Sequence, residues 1–553
     1  MTGIEAFLDV LAGSGVRHIF GNPGTTELPL NDALGRDSRF QYILGLHEIP
    51  VTAAAEGFAM ASGGVAVVNL HTACGLGNAM GMIYNAHVAG SPLVVTAGQQ
   101  DTRLRFDGPV LAASLVEMAR PLVKWAAEVQ RVEDIPNATR RAVQVALTPP
   151  TGPVFLSLPL DVQMGTADGL DVSPPWLPDC GIRPAKEPLR KAAEVLANAE
   201  KPVILAGSRV TEAGAIRELV SLAETLGAVV FSEAGTAHGR IPFPTDHGLY
   251  GGPLPLWSPE VRQLLAGCDV AFAVGLNVLK LYIYKDPPRP LPEGLKLIHL
   301  DSAPTEVGKN FPVEVGLIGD PKAGLAELVW EIDRRLTPDA VTAAGERGKR
   351  YAARREAEQA SFRAKLESQL STRPMTSLAL MGALTRVLPA NVAVVEEAPT
   401  THHSAFERLG VLKDPTGYFA HRGWALGWGI GCAIGVKLAW PNRPVLALLG
   451  DGASLYGIQG LWTAARYQLP VTFVIGNNAR YKILQVCGDV FPLPGLKSAP
   501  GLILDNPGVD FVGLARSLGV DAHRITEPDE LAERVRASFA GSRPVLFDLP
   551  VAD

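Results

Sequence analysis

A chain of 553 residues is too long to close around a single core, and at the usual domain size it implies about three domains. A net charge of −6 and a pI near 6.0 exclude a nucleic-acid surface, which needs clustered cations to displace counterions, and no apolar run reaches the length that spans a membrane. The five cysteines (Cys74, Cys180, Cys268, Cys432, Cys487) are scattered without a Cys-x-x-Cys pair, which excludes a zinc or disulfide framework and suits a reducing, cytoplasmic setting.

Residues 1–11 space their apolar side chains helically and lack a basic leader, predicting a folded helix and not a signal peptide. A strand at 18–20 runs into the turn Gly21-Asn22-Pro23-Gly24, after which Thr25, Thr26 and Glu27 suit a helix start, where hydroxyls and acids satisfy free N–H groups. Glu48 heads a further helix, at the favourable end of its dipole. Apolar runs at 67–70 and 92–96 predict buried parallel strands, with 75–86 as the crossover helix and His71 at the end of the first strand. The proline-rich stretch 173–178 reads as a linker. Strands at 201–207, 270–275 and 297–301 belong to a second unit, and the charged stretch 343–365 to a solvated connecting helix. From about Pro374 a third unit carries strands at 445–449 and 471–475 with a helix at 461–467 between them. The expected architecture is α/β, three doubly wound parallel-sheet domains over 1–172, 185–336 and 370–553.

The third unit carries the most specific pattern. Gly450-Asp451-Gly452 ends one strand and Asn477-Asn478 ends the next, so Asp451 and Asn478 come side by side at the carboxyl edge of a parallel sheet. An acid and an amide there offer two oxygens to a hard cation such as Mg²⁺, which takes phosphates as further ligands, and the flanking glycines let phosphates approach the backbone. No Gly-x-Gly-x-x-Gly follows a first strand, which argues against a nicotinamide dehydrogenase.

This pattern resembles the fingerprint of the thiamine-diphosphate (ThDP) enzymes. With Gly21-Asn22-Pro23-Gly24, His71-Thr72-Ala73-Cys74-Gly75, Thr96-Ala97-Gly98-Gln99-Gln100 and Arg120-Pro121-Leu122-Val123-Lys124-Trp125, the chain is similar to the benzoylformate decarboxylase branch of the decarboxylase and acetolactate-synthase superfamily. The resemblance implies a pyrimidine-binding, a middle and a diphosphate-binding domain, with ThDP and Mg²⁺ as cofactors. It implies that Glu48 hydrogen-bonds the cofactor's aminopyrimidine and that His71 moves protons. Asp451, the side-chain oxygen of Asn478 and the main-chain carbonyl of Arg480 would bind the metal. Leu426 would fold the cofactor, and a carbonyl at Gly423 or Trp424 would hold its amino group. Thr400, Thr401, Gly450, Gly452, Ala453, Ser454, Leu455, Tyr481 and Ile483 would complete the cofactor contacts. The implied reaction is decarboxylation of an aromatic or branched 2-oxo acid to an aldehyde, or carboligation of the acyl group to an aldehyde acceptor. A homodimer is the implied minimum, and a homotetramer the implied assembly. A non-catalytic protein of the same fold is the rival from another class.

The chain departs from that pattern at several positions. Thr25 stands where the family has serine, keeping the hydroxyl. Tyr282 stands where it has a second active-site histidine, and a phenol of pKa ~10 is a poorer proton relay near neutrality. His402, with His403, is either a substitute proton source or an exposed pair at a helix start. Ile483 and Cys487 replace a small and an aromatic residue, which changes the shape of the acyl pocket.

Overall fold

Three six-stranded sheets, every strand parallel to its neighbours, organise the chain. The computed structural model describes residues 1–552 other than 234–238, 492, 494, 497 and 498. The first sheet comprises β1 (His18–Gly21), β2 (Gln41–Leu44), β3 (Ala66–Leu70), β4 (Leu93–Gln99), β5 (Ala126–Glu128) and β6 (Val154–Pro159), in the order β2-β1-β3-β4-β6-β5. The second has β7 (Pro202–Ala206), β8 (Val229–Ser232), β9 (Tyr250–Pro253), β10 (Val270–Val274), β11 (Lys296–Asp301) and β12 (Val315–Ile318), in the order β12-β11-β10-β7-β8-β9. The third has β13 (Ala393–Glu397), β14 (Tyr418–Ala420), β15 (Val445–Gly450), β16 (Val471–Asn477), β17 (Asp521–Arg524) and β18 (Val545–Pro550), in the order β14-β13-β15-β16-β18-β17. Helices cover both faces, so β3, β4, β7 and β10 are buried along their whole length and read as continuous apolar runs without alternation.

Each order reverses beside the strand that opens its sheet. The chain leaves β1 on one side for β2 and returns on the other for β3, and it does the same at β7 before β10 and at β13 before β15. The connections on the two sides diverge at these points and leave crevices outside the strand ends, where open α/β sheets bind ligands. The three crevices lie beside Gly21 and His71, beside Gly207 and Gly275, and beside Glu397 and Asp451.

The stretch expected to be a solvated connector is longer and better anchored than its charge implied. The helix Pro338–Gln369 buries Ala344, Arg355, Phe362 and Leu366. Arg355 donates to the carbonyls of Thr245 (3.0 Å) and Glu407 (2.6 Å), tying the second domain to the third. No helix among the described residues is long and apolar enough to cross a membrane.

The first and third domains meet through the helices Glu48–Ser62 and Trp428–Ala439. Both are rich in small residues, and the contact brings backbone against backbone. A methyl group on Gly435 would run into the Ala54 carbonyl, one on Gly431 into that of Pro50, and one on Gly57 into that of Cys432. A polar contact ties the two helices together: Glu56 accepts a hydrogen bond from the Trp428 indole (2.9 Å) and, within the first domain, one from the Ser91 hydroxyl (3.1 Å). Gly435→Val should cost about 1–3 kcal/mol by overpacking, seen as a lower urea midpoint at unchanged slope; an unchanged midpoint would show that the helices can part freely. Burial pushes the Glu56 carboxyl up to about 8, against the pull of its two donors. The folded chain therefore keeps a proton that the unfolded chain releases, and stability falls as pH rises from the ordinary glutamate range to about 8. Glu56→Gln preserves both contacts without the ionisation, so its melting temperature should drop less than the parent's between about pH 5 and about pH 8.5. Parallel curves would rule out this role for Glu56.

Candidate active site

At the first crevice, Glu48 begins its helix one residue after the N-cap His47, whose ring accepts the Ile49 amide. Its carboxylate is buried, and its two oxygens are held separately. Asn22 donates to Oε1 at 3.1 Å from the turn after β1, and Asn78 donates to Oε2 at 3.0 Å from the helix Thr72–Ala89. A carboxylate fixed on both sides presents a defined edge to a ligand.

His71 caps the helix Thr72–Ala89 from the end of β3. Its Nδ1 lies 2.7 Å from Glu27 Oε2 and 3.3 Å from the Thr26 hydroxyl. Glu27 is 1 % exposed and also accepts from the amides of Gly24 (3.0 Å) and Gly98 (2.8 Å) and from the Thr26 hydroxyl (2.9 Å). With Nδ1 committed to this network, Nε2 remains as the ring nitrogen that can exchange a proton with a ligand. Of the two adjacent threonines, Thr26 is the one that touches His71, whereas Thr25 is exposed and stands outside this network.

At the third crevice, Asp451 opens the helix Asp451–Gly457 directly after β15. Oδ1 accepts the Gly452 amide at 2.8 Å, while Oδ2 is buried without a partner. Burial raises the Asp451 pKa, and nearby backbone N–H groups of Gly452, Ala479 and Arg480 oppose that rise. Asn478 follows β16, and its side-chain oxygen accepts the Arg480 amide (3.2 Å) in a tight turn with Ala479 at φ +53°. A buried anionic oxygen without a donor, next to an amide oxygen, is the chemistry of a hard divalent-cation site. The surroundings are close-packed: the Ser454 hydroxyl donates to the Gly450 carbonyl (2.7 Å), Gly452 lies under the Tyr481 ring, and Thr401 packs against Gly476, while Ala453 is buried and Thr400 half-buried.

Glu397, at the end of β13, accepts the amides of Gly427 (2.9 Å), Trp428 (3.2 Å) and Gly429 (2.8 Å), capping the helix Trp428–Ala439. Burial lifts its carboxyl to about 8 despite these bonds. The cap fixes the loop that carries Gly423, Trp424 and the half-buried Leu426. The loop's other side is held by Asn85 of the first domain, which accepts the Ala425 amide (3.1 Å) and donates to the Ala425 carbonyl (2.9 Å).

Tyr282 reaches this loop from the second domain. Its ring meets Trp424 edge to face at 4.6 Å, and its phenol lies against the Cys487 thiol. Partial burial, then the thiol, raises the phenol pKa. Ile483 is half-exposed one turn before Cys487 on the helix Lys482–Gly488. His402 and His403 do not form an exposed pair. His402 is 7 % exposed, its Nδ1 accepts the Ser404 amide (3.0 Å), and Glu396 lies 4.0 Å away; His403 is exposed and turns to the Ser377 hydroxyl (2.7 Å). His402 thus spends its Nδ1 on the turn that contains it.

In the second domain's crevice the strand ends are bridged by the domain's own side chains. Arg209 donates to Asp301 at 2.7 and 3.0 Å and to Asn277 at 2.7 Å across the ends of β7, β10 and β11. Among the described residues no hydrogen bond joins the Glu48 set to the Asp451 set. The supports that sequence reasoning left without a role are Glu27, Glu397, Asn22 and Asn78. Glu27 and Glu397 had a signal, since each is an acid at a strand-to-helix turn where buried amides need an acceptor.

Comparison with known proteins agrees along the whole chain. Three family models match: the thiamine pyrophosphate enzyme N-terminal TPP-binding domain over residues 1–110, the central domain over 189–328, and the C-terminal TPP-binding domain over 400–549. The chain is 34 % identical to the benzoylformate decarboxylase of Pseudomonas aeruginosa over 99 % of its own length and 98 % of that protein. It is 31 % identical to a probable acetolactate synthase large subunit of Methanocaldococcus jannaschii, over 100 % and 92 %. The solved structure of a thiamine diphosphate-dependent 4-hydroxybenzoylformate decarboxylase from Rhodococcus jostii superposes with a TM-score of 0.86 at 30 % identity, covering 100 % of this chain and 99 % of that one.

Glu27→Gln would set an amide N–H against groups that donate. It is expected to destabilise the fold by about 1–3 kcal/mol in urea titration and to lower turnover through misplacement of His71. A variant as stable and active as the parent would remove Glu27 from the site.

Proposed function

The chain belongs to the thiamine-diphosphate-dependent enzymes that decarboxylate or carboligate 2-oxo acids, and from that premise we propose that it acts on an aromatic 2-oxo acid of the benzoylformate kind and releases the aldehyde. The observation that carries this reading is the pairing of two preformed carboxylates. Glu48 is fixed by two amides at one switch point, and Asp451 keeps an unpartnered buried oxygen at another.

When bound, thiamine diphosphate supplies the electron sink into which a 2-oxo acid can lose CO₂. Asp451, the Asn478 side-chain oxygen and the Arg480 carbonyl would hold Mg²⁺ against its diphosphate, with Gly450, Gly452, Ala453, Ser454, Thr400 and Thr401 around the phosphates. Glu48 would hold a proton against the pyrimidine ring, and Leu426 and the carbonyl of Gly423 or Trp424 would set that ring's position. His71, oriented through Nδ1 by Glu27, would exchange a proton at Nε2 with substrate or product.

One observation favours carboligation as a second outcome. Tyr282, which packs on Trp424 and the Cys487 thiol, stands where the family has a histidine, and a phenol, being a weak proton donor near neutrality, would slow protonation relative to attack on an aldehyde. In this reading the protein works as at least a dimer, the first-domain crevice of one copy facing the third-domain crevice of another, most simply in a tetramer in the cytoplasm. The apolar side chains of Phe106 and Val110, 103 % and 82 % exposed in the single chain, support such burial by a second copy.

Glu48→Gln should lower turnover by at least about 100-fold while calorimetry still shows cofactor binding in the presence of Mg²⁺. Undiminished turnover would refute the role of Glu48. Assay of phenylglyoxylate and pyruvate, each with and without benzaldehyde and following CO₂ and organic products together, separates the outcomes. Turnover confined to pyruvate would sink the aromatic assignment.

A further inference from the structure

In the third sheet β18 lies between β16 and β17 and is apolar at every position but one: Asp548, which is 1 % exposed. A carboxylate buried in such a strand loses hydration that packing does not return, so its partners account for its presence. Oδ2 meets Arg524 of β17 at 3.1 Å, but the Arg524 side chain is 59 % exposed, and an ion pair open to water on one side holds it weakly. Oδ1 accepts the side-chain amide of Asn477 at 2.9 Å. The register explains this contact. β16 and β18 pair Ile475 with Asp548 and Asn477 with Pro550, so Asp548 and Asn477 stand on one face of the sheet, two places apart along the strands.

Asn477 immediately precedes the proposed ligand Asn478. Its side-chain oxygen accepts the Ala479 amide (3.2 Å), and its main-chain carbonyl accepts the Val551 amide (2.9 Å). Ala479 stands at φ +53°, in the left-handed region that a residue with a β-carbon enters only where its surroundings impose it. Asn477 imposes it from one side, and the Leu504 amide, donating to the Ala479 carbonyl (2.7 Å), from the other. The two ends of the Asn477 amide have nearly the same shape, yet only its oxygen can accept the Ala479 N–H. A carboxylate can only accept, so Asp548 takes the NH₂ end and turns the oxygen towards Ala479. Asp548 thereby holds closed the turn that carries Asn478 and Arg480. The register of β15 on β16, with Gly450 opposite Gly476, sets this turn beside Asp451.

We propose that Asp548 is a positioning residue of the metal site: by fixing the Asn477 amide it maintains the strained turn from which the Asn478 side-chain oxygen and the Arg480 carbonyl would meet Mg²⁺ beside Asp451. This rests on the reading of those three residues as the metal's ligands. Arg524 is the bystander of the pair, since the contact that matters is on the other carboxylate oxygen.

The probe is Mg²⁺, titrated calorimetrically into the full-length protein after removal of metal and in excess thiamine diphosphate. The parent should bind it and Asp451→Ala should lose that binding; failure of either overturns the ligand set and the role of Asp548 with it. Asp548→Leu, which keeps bulk and removes the acceptor, should weaken Mg²⁺ binding by about 10–100-fold, the usual effect of losing a group that orients a metal ligand. Asp548→Asn, whose oxygen can still accept the Asn477 NH₂, should restore binding close to the parent's, and Arg524→Ala should leave it there. Asn477→Ala should weaken binding as Asp548→Leu does, and the double variant no further, because both remove one support. Melting curves taken before metal is added identify a variant that has lost its fold, and Asp548→Ala replaces Asp548→Leu if the latter melts below the titration temperature. With the ligand set upheld, the role of Asp548 alone is overturned by parental affinity in Asp548→Leu, by additive losses in the double variant, or by affinities that merely follow the melting temperatures, Arg524→Ala included.

Discussion

Everything in this molecule depends on how closely two helices can approach. The helices Glu48–Ser62 and Trp428–Ala439 touch backbone to backbone because glycines stand at the crossing, and the first residue or cap of each is a site element. Glu48 begins one, and Glu397 caps the other. The position of the proposed proton-handling carboxylate in the first domain is thereby fixed against the loop that carries Trp424 and Leu426 in the third. Larger side chains at the crossing would separate the two domains and move both groups together.

Burial sets the electrostatics around this seam. Glu56 and Glu397 are enclosed and pushed up to about 8, and both accept hydrogen bonds from the helix that starts at Trp428. Asp451 is also raised by burial, but one of its oxygens is left without a hydrogen bond, which is what distinguishes a ligand from a cap. The same comparison separates His71, oriented by a buried acid and with Nε2 left over, from His402, whose Nδ1 serves its own turn.

Much of this was legible in the residues. The three sheets could be placed because buried parallel strands read as unbroken apolar runs, and Asp451 with Asn478 because a strand-helix-strand unit forces its strand ends together. Glu48 and His71 were legible through motifs around them. The supports Asn22 and Asn78 were not: they reach Glu48 across 26 and 30 residues of chain, and no local pattern marks such distance; Glu27 was visible as an acid at a helix start, but not its reach across 44 residues to His71. Thr25 and Thr26 show the finer limit, since a neighbouring pair of hydroxyls is divided by the helical turn into one that faces His71 and one that faces solvent. The helix Pro338–Gln369 misled in another way, because a charged surface conceals the few positions, Arg355 and Phe362 among them, by which it grips the domains.

The second domain has the sheet order and crevice of a ligand-binding fold, with the Arg209–Asp301 ion pair bridging its strand ends. Asp301 is fully buried, so losing Arg209 alone would strand a charge at a cost of about 3–5 kcal/mol, and losing Asp301 alone would do much the same to Arg209. Single mutations in either direction therefore pass through a less stable protein. The ion pair acts as an evolutionary ratchet: a descendant that replaced it to build a ligand site here would have to change both residues at once, or first acquire stability elsewhere, so new chemistry is more accessible at the walls of the existing pocket than in a second one.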